Sequence, residues 1–363
     1  MYLLERITGI SVYVLLLLIF CFLLSKDNKK VGKILKIYAI LLTVLAFFYV
    51  PSKEADLYRH FEAVRRYASY SISGLIESMA STTTPIVVLM YFITAKIGIY
   101  GILPALGAFV FYNNIFYILR KSYEKYDVKP IVRSLVLFFV MALGTYIEAI
   151  SGIRTMLSFS IILRCVYDEI YENKSIVKNA LWYIIASSIH LVSFAMVVLR
   201  LIVYAFSMKR NRWLNFVVVL CALSAIVVLG TDVIQKAWEV GIYYATNQSY
   251  QYIWEYILMA IAVCYLVYVK YRCKKQNIID ENLNKISVIS NVLLIIMIVL
   301  FNRYTIFHRF GTFNILLNIP LITKYISEGK DNKKQYTILF VGMIMMALAC
   351  VRGNLCGFKF FEL

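Results

Sequence analysis

The residues able to do chemistry in this chain are three histidines and a few arginines, each bordering a long apolar run. His60 lies in DLYRHFEAVRRY beside Asp56, Arg59, Arg65 and Arg66. His190 lies in ASSIHLVSF, and His308 lies in FNRYTIFHRFG with Arg303, Tyr304 and Arg309. Arg154 opens GIRTMLSFSIIL, a few residues after Glu148. A guanidinium stays charged and offers paired N–H donors that match phosphate oxygens. Histidine titrates near neutrality, so it can hold or move a proton at physiological pH. The set suits two tasks: gripping a phosphate or pyrophosphate, and moving a proton beside it. Each patch also has a structural reading. Asp56–Tyr67 could be a plain interfacial helix, Glu148 and Arg154 an ion pair between helix ends, and His190 a packed polar tip among Ser187, Ser188 and Ser193.

The elements that must position these residues are apolar helices. Hydrophobic residues make up 61% of the 363, charged residues only 16%, and the mean hydropathy is +0.74. Soluble domains are nearer half apolar and a quarter charged. The excess comes in runs such as 10–24 and 214–229, the length that a hydrocarbon core of roughly 30 Å demands of a helix. The chain therefore reads as an all-α membrane protein, a single polytopic membrane domain over 1–363. The net charge of +18 is read as a topology signal, not as an affinity for nucleic acid. The lysine cluster after the first apolar run speaks against a cleaved leader. The seven cysteines form no CxxC and mostly lie in apolar runs, so neither a disulfide framework nor a zinc site is expected, Cys350 and Cys356 being the one pair that could form outside.

Basic clusters at 26–36, 120–133, 174–178, 209–212, 270–285 and 324–334 mark one side, the cytoplasmic one. Each interval between them must hold an even number of crossings. Spans are then expected near 7–24, 37–50, 98–119, 131–150, 153–170, 213–230, 251–269, 286–301, 308–323 and 336–351. Two short crossings inside 179–206 meet near His190, giving about 12 transmembrane helices. The segment at about 54–97 is left as an amphipathic or re-entrant outer stretch. Within it Leu57, Phe61, Val64 and Ala68 form an apolar stripe, with Asp56, Arg59, His60, Arg66 and Tyr67 on the neighbouring face. Ser81–Pro85 is expected to cap the helix that follows. All three histidines and the arginines above then fall on the extracytoplasmic side, against the trend of the positive-inside rule. The chain carries no P-loop, HExxH, GxSxG or DxD pair, so no metal and no cofactor is expected.

In order and spacing, DLYRHF, GIRTMLSFSIIL, SSIHLVSFAMVVL and FHRFGTFNILL resemble the EpsG family of Wzy-type bacterial polysaccharide polymerases. The matches fall at Asp56, Arg154, His190 and Arg309. Thr84-Pro85 stands where the family has a Glu-Pro-like pair, and Phe313 where a tyrosine is common. The resemblance implies a metal-independent, GT-C-like membrane glycosyltransferase. It would join oligosaccharide repeat units carried on undecaprenyl pyrophosphate, for capsule, exopolysaccharide or O-antigen, at the outer face of the bacterial cytoplasmic (inner) membrane. On this reading Arg154 and Arg309, with Arg303 and Arg59, bind pyrophosphate. His190 is the base or orienting group, with Asp56 and His60 as alternates, and Tyr58, Tyr67 and Tyr304 can stack on sugars. Expected partners are the lipid-linked substrate, membrane lipids, and a chain-length regulator or flippase, with no nucleic acid. The rival readings are a flippase for lipid-linked oligosaccharide, which would place charges along a central route, and a polysaccharide ligase of similar chemistry.

Overall fold

The computed structural model describes residues 2–26, 30–53, 55–143, 145–207, 253–299, 301, 304–328 and 332–355. Among these the chain is all-helical. In order the helices are α1 (Tyr2–Lys26), α2 (Val31–Phe47), α3 (Asp56–Tyr67), α4 (Ile72–Ala80), α5 (Pro85–Ile97), α6 (Ile102–Lys125), α7 (Pro130–Ala142) and α8 (Thr145–Ser151). They continue with α9 (Ile153–Tyr171), α10 (Ile176–Ile189), α11 (Leu191–Ser207), α12 (Ile253–Lys275), α13 (Glu281–Val299), α14 (Tyr304–Leu317), α15 (Ile319–Ser327) and α16 (Asn332–Leu355). The expected span at 213–230 lies outside the described residues.

Four described helices are long and apolar enough to cross a membrane: Ile102–Lys125, Tyr256–Lys275, Glu281–Val299 and Asn332–Cys350. Shorter apolar helices run over Ser11–Lys26, Pro85–Ile97, Pro130–Ala142, Ile176–Ile189 and Leu191–Tyr204. Large apolar side chains such as Leu15, Phe22, Ile40, Ile295 and Ile298 face outward. A soluble surface rarely carries so many together, and lipid tails accept them at no cost.

The centre of the molecule is α9. It packs against α6 and α10 most extensively, and also touches α8, α11, α13 and α14. Nearly every side chain from Ile153 to Ile170 is buried, so the helix is covered all round. Arg154 sits in its first turn, where the guanidinium can reach past the core. α6 lies beside it and buries Phe111, Tyr112, Ile115, Phe116 and Leu119.

The segment before α6 forms three short helices. α3 and α4 both pack on α5, and α5 packs in turn on α6 and α10. Ser71 caps α4 by accepting from the Gly74 N–H at 3.2 Å. The expected hydroxyl cap on α5 is absent: Thr84 occupies the cap position without a side-chain bond to the helix, and Thr82 Oγ1 instead accepts from the Thr84 N–H at 3.3 Å. Pro85 starts α5 with a ring already fixed near the helical φ. Gly98 ends it at φ 77, the left-handed conformation that a side chain would resist. The crossing expected from residue 98 consequently begins at Ile102 and extends to Lys125.

Two other expected spans are each split into two helices. The stretch 131–150 divides into α7, which ends at Ala142, and α8, which begins at Thr145. The stretch 308–323 divides at Asn318, with Pro320 at the second position of α15. Asn318 compensates for the interruption. Its Nδ2 donates to Ser290 Oγ at 2.9 Å and to the Asn314 carbonyl at 2.7 Å, while Asn314 Nδ2 donates to the Ser290 carbonyl at 3.2 Å.

Candidate functional site

His190 separates α10 from α11, as the constraint on residues 179–206 requires. Its backbone is extended, at φ −148 and ψ 129, so neither helix can continue through it. Its N–H donates to the Ala186 carbonyl at 3.2 Å, closing α10. The side chain opens α11: Nδ1 accepts from the Val192 N–H at 3.3 Å. Ser193 Oγ then donates to Ser158 Oγ at 2.6 Å, and Ser158 donates to the Arg154 carbonyl at 2.7 Å. The hairpin tip is thereby fastened to the first turn of α9, directly under Arg154.

From the other side comes α14. Arg309 Nη1 lies 3.3 Å from His190 Nε2. Its neighbour His308, about 100° around the helix, turns the opposite way and lies 2.8 Å from Glu148 Oε1 of α8. Both members of that pair are buried. In the alternative, structural reading of this patch Glu148 pairs with Arg154; the fold instead sets Glu148 against His308. The Arg154 side chain is exposed instead and lines a cavity with His60, Tyr91 and Ile189. That cavity measures about 10 Å³, room for one water-sized group, so it can seat an oxygen or two but not a sugar ring.

His60 completes the cluster, and its orientation corrects the helix-face expectation. Leu57, His60 and Val64 form the buried face of α3, whereas Asp56, Arg59 and Arg66 are exposed. Positions i, i+3 and i+7 lie on one side of a helix, and the hydroxyl that rewards His60 for burial comes from Tyr91 of α5. Burial, with help from the Arg154 charge and against Asp56, pushes the His60 imidazole down to about 4. It is neutral at physiological pH. Tyr91 also faces Tyr67 at 6.2 Å between ring centroids, and Tyr67 donates or accepts across a 2.8 Å bond with Ser78.

The four polar patches of the sequence thus converge, though not every expected residue takes part. His60, Arg154, His190 and Arg309 come together. Asp56 and Arg59 form an exposed pair at 3.4 Å on the outer face of α3, one helical turn from His60. Arg303 lies outside the described residues, as does the Tyr304 side chain. Tyr91 is the member that sequence reasoning missed, because it sits in an apolar helix with no polar neighbour to draw attention to it. Among the described residues no group of three or more His, Cys, Asp or Glu is placed to hold a metal ion.

The electrostatics of the cluster are one-sided. A neutral imidazole has a single acceptor lone pair, so His190 cannot accept from both the Val192 N–H and Arg309. In one tautomer Nδ1 accepts from the Val192 N–H, and in the other Nε2 accepts from Arg309 Nη1, each at 3.3 Å. The Arg309 and Arg154 guanidiniums, with the positive end of α9 nearby, suit a negatively charged oxygen.

A model of the EpsG family matches residues 58–360. The matched region includes His60, Arg154, His190 and Arg309 and begins just after Asp56. Among curated proteins and among solved structures, nothing matches the chain.

Proposed function

The chain belongs to the EpsG family, a family of Wzy-type polysaccharide polymerase-like proteins, and from this we propose that it polymerises lipid-linked oligosaccharide repeat units. The donor is an oligosaccharide on undecaprenyl pyrophosphate, and the product is a capsular, exopolysaccharide or O-antigen chain. The protein is a GT-C-like glycosyltransferase of the bacterial inner membrane with about twelve crossings, and its site faces outward. The observation that carries this reading is the convergence of Arg154 and Arg309 on His190 and His60.

In the proposed reaction the bond from the anomeric carbon to the pyrophosphate oxygen breaks. A new bond forms from that carbon to a hydroxyl oxygen of the second repeat unit. Arg309 and Arg154 stabilise the charge that gathers on the departing pyrophosphate. His190 Nε2–H donates to one of its oxygens, which makes His190 an orienting group more than a base. The hydroxyl proton passes to His60, which is neutral and lines one cavity with Arg154. An oxocarbenium-like transition state transfers that proton late, so a weak base suffices. Tyr91 holds the His60 ring by its hydroxyl, and Tyr67 offers an aromatic face beside it.

The test uses purified protein in lipid nanodiscs with its lipid-linked repeat unit. Wild type should produce a ladder of longer glycans, and Arg309→Ala and Arg154→Ala should not. Movement of the lipid across the bilayer without any change in glycan length would overturn the reading in favour of a flippase.

A further inference from the structure

A second cavity of about 240 Å³ lies between α2, α6 and α9, at the other end of the central helix from Arg154. Arg154 and Arg164 are separated along α9 by about 15 Å of helix. Lys36, Arg120 and Arg164 bring three cationic side chains to the lining of this cavity, and no acidic residue lines it. Leu35, Ala39 and Phe116 supply apolar wall. We propose that this cavity binds an anionic phospholipid, with the phosphate held by Lys36, Arg120 and Arg164 and an acyl chain along Ala39 and Phe116.

The cavity is built rather than incidental. Arg164 is stacked on Tyr117, 3.0 Å from the ring centroid, and its Nε is held by Asp168 at 3.2 Å. Those contacts fix the guanidinium plane while leaving the terminal nitrogens for a second acceptor. Arg120 contacts Glu124 only at 3.6 Å and its side chain is 38% exposed. Gly32 makes room for it: a Cβ there would meet Arg120 Cδ at 3.1 Å. Lys36 lies one turn further along α2.

Along the groove the chemistry changes in the order that a phospholipid does. Gly32 and Arg120 mark the charged end, and about two helical turns away Ala39 and Asn113 mark the other. Beyond Ala39, α2 continues through Ile40 and Leu41, whose exposed apolar side chains face lipid. The surrounding basic residues Lys33, Lys121 and Lys125 belong to the clusters that the positive-inside rule puts at the cytoplasmic leaflet, where anionic lipids attract them. A soluble phosphate would satisfy the arginines but has no use for the apolar wall.

Native mass spectrometry of the detergent-purified protein tests this, with phosphatidylglycerol, phosphatidylcholine and inorganic phosphate as separate probes. One phosphatidylglycerol adduct should form at least about tenfold more tightly than any phosphatidylcholine adduct. Each removed cation should weaken it roughly fivefold, so Lys36→Gln, at an exposed position, lowers affinity, and Lys36→Gln with Arg120→Gln nearly abolishes the adduct. Size exclusion and the lipid-free melting temperature of each variant report whether folding is intact. Equal binding of both lipids, unchanged binding by a folded Lys36→Gln, or displacement of the lipid by millimolar inorganic phosphate would each overturn the proposal.

Discussion

Two polar regions hang on the same three helices, α9, α10 and α11, and they answer burial in opposite ways. In the interior, Arg200 lies 2.9 Å from Glu169, with side chains only 9% and 3% exposed. Tyr183 donates to the other Glu169 oxygen at 2.7 Å and Asn179 donates to the same oxygen at 3.1 Å. Every donor there finds an acceptor, as buried charge requires. At the hairpin tip two guanidiniums gather instead: Arg309 Nη1 lies 3.3 Å from His190 Nε2, and the exposed Arg154 lines the cavity beside His60. The first region closes upon itself and holds the helices together. The second brings two guanidiniums to two histidines, an arrangement suited to receiving an anion. Interior charge alone would have suggested a translocation route. Here the charge is held in the Glu169–Arg200 pair.

The comparison makes separable predictions. Arg154→Ala and Arg309→Ala should each lower chain formation by at least about a hundredfold, the cost of losing one donor to developing charge. For Arg154→Ala the melting temperature and membrane insertion should stay near wild type, because that side chain is exposed. His60→Gln should cost roughly a hundredfold or more if His60 takes the hydroxyl proton, measured as initial rates of ladder formation.

In the paired region the effect should be on stability instead. Arg200→Leu leaves Glu169 without its cation and should destabilise the protein by about 3–5 kcal/mol in a melt, with activity per folded molecule retained. Arg200→Leu together with Glu169→Leu should recover part of that loss. An Arg200→Leu protein that folds normally but polymerises nothing would dissolve the distinction between the two regions.

A pH series sharpens it further. Burial lowers the His60 imidazole to about 4 from its unfolded value near 6.5. The unfolded chain therefore binds more protons between those values, so the stability from neutral His60 is fully present above pH 6.5 and is lost as pH falls toward 4. The rate should likewise hold down to about pH 5 and fall below it, and His60→Gln should remove that acid limb. The smallest effect belongs to the exposed pair: Asp56→Asn and Arg59→Gln should change stability by under about 1 kcal/mol and rates by only a few fold. A loss with Asp56→Asn as large as with His60→Gln would transfer the role of base to Asp56.

Much of this arrangement was legible in the sequence, for local reasons. Pro85 and Gly98 bracket α5, and two short apolar halves around ASSIHLVSF require a break at His190. What was not legible depended on partners distant in the chain. Whether His60 faces water or the interior is decided by Tyr91, and only packing of α5 on α3 supplies that hydroxyl. The structural reading of Glu148 paired it with Arg154 because the two are close in sequence, whereas the fold brings it His308 from α14. The break at Asn318 is tolerated because Ser290 of α13 satisfies its amide, which no local pattern reveals.

The most direct test of a shared anion site is a double-mutant cycle on the initial rate of polymerisation, using Arg154→Ala, Arg309→Ala and the double variant. If both guanidiniums hold the same pyrophosphate, the double variant should be little worse than either single one, with a coupling well above 0.5 kcal/mol. Losses that add to within about 0.5 kcal/mol would mean that the two arginines act at separate places, and would contradict the account.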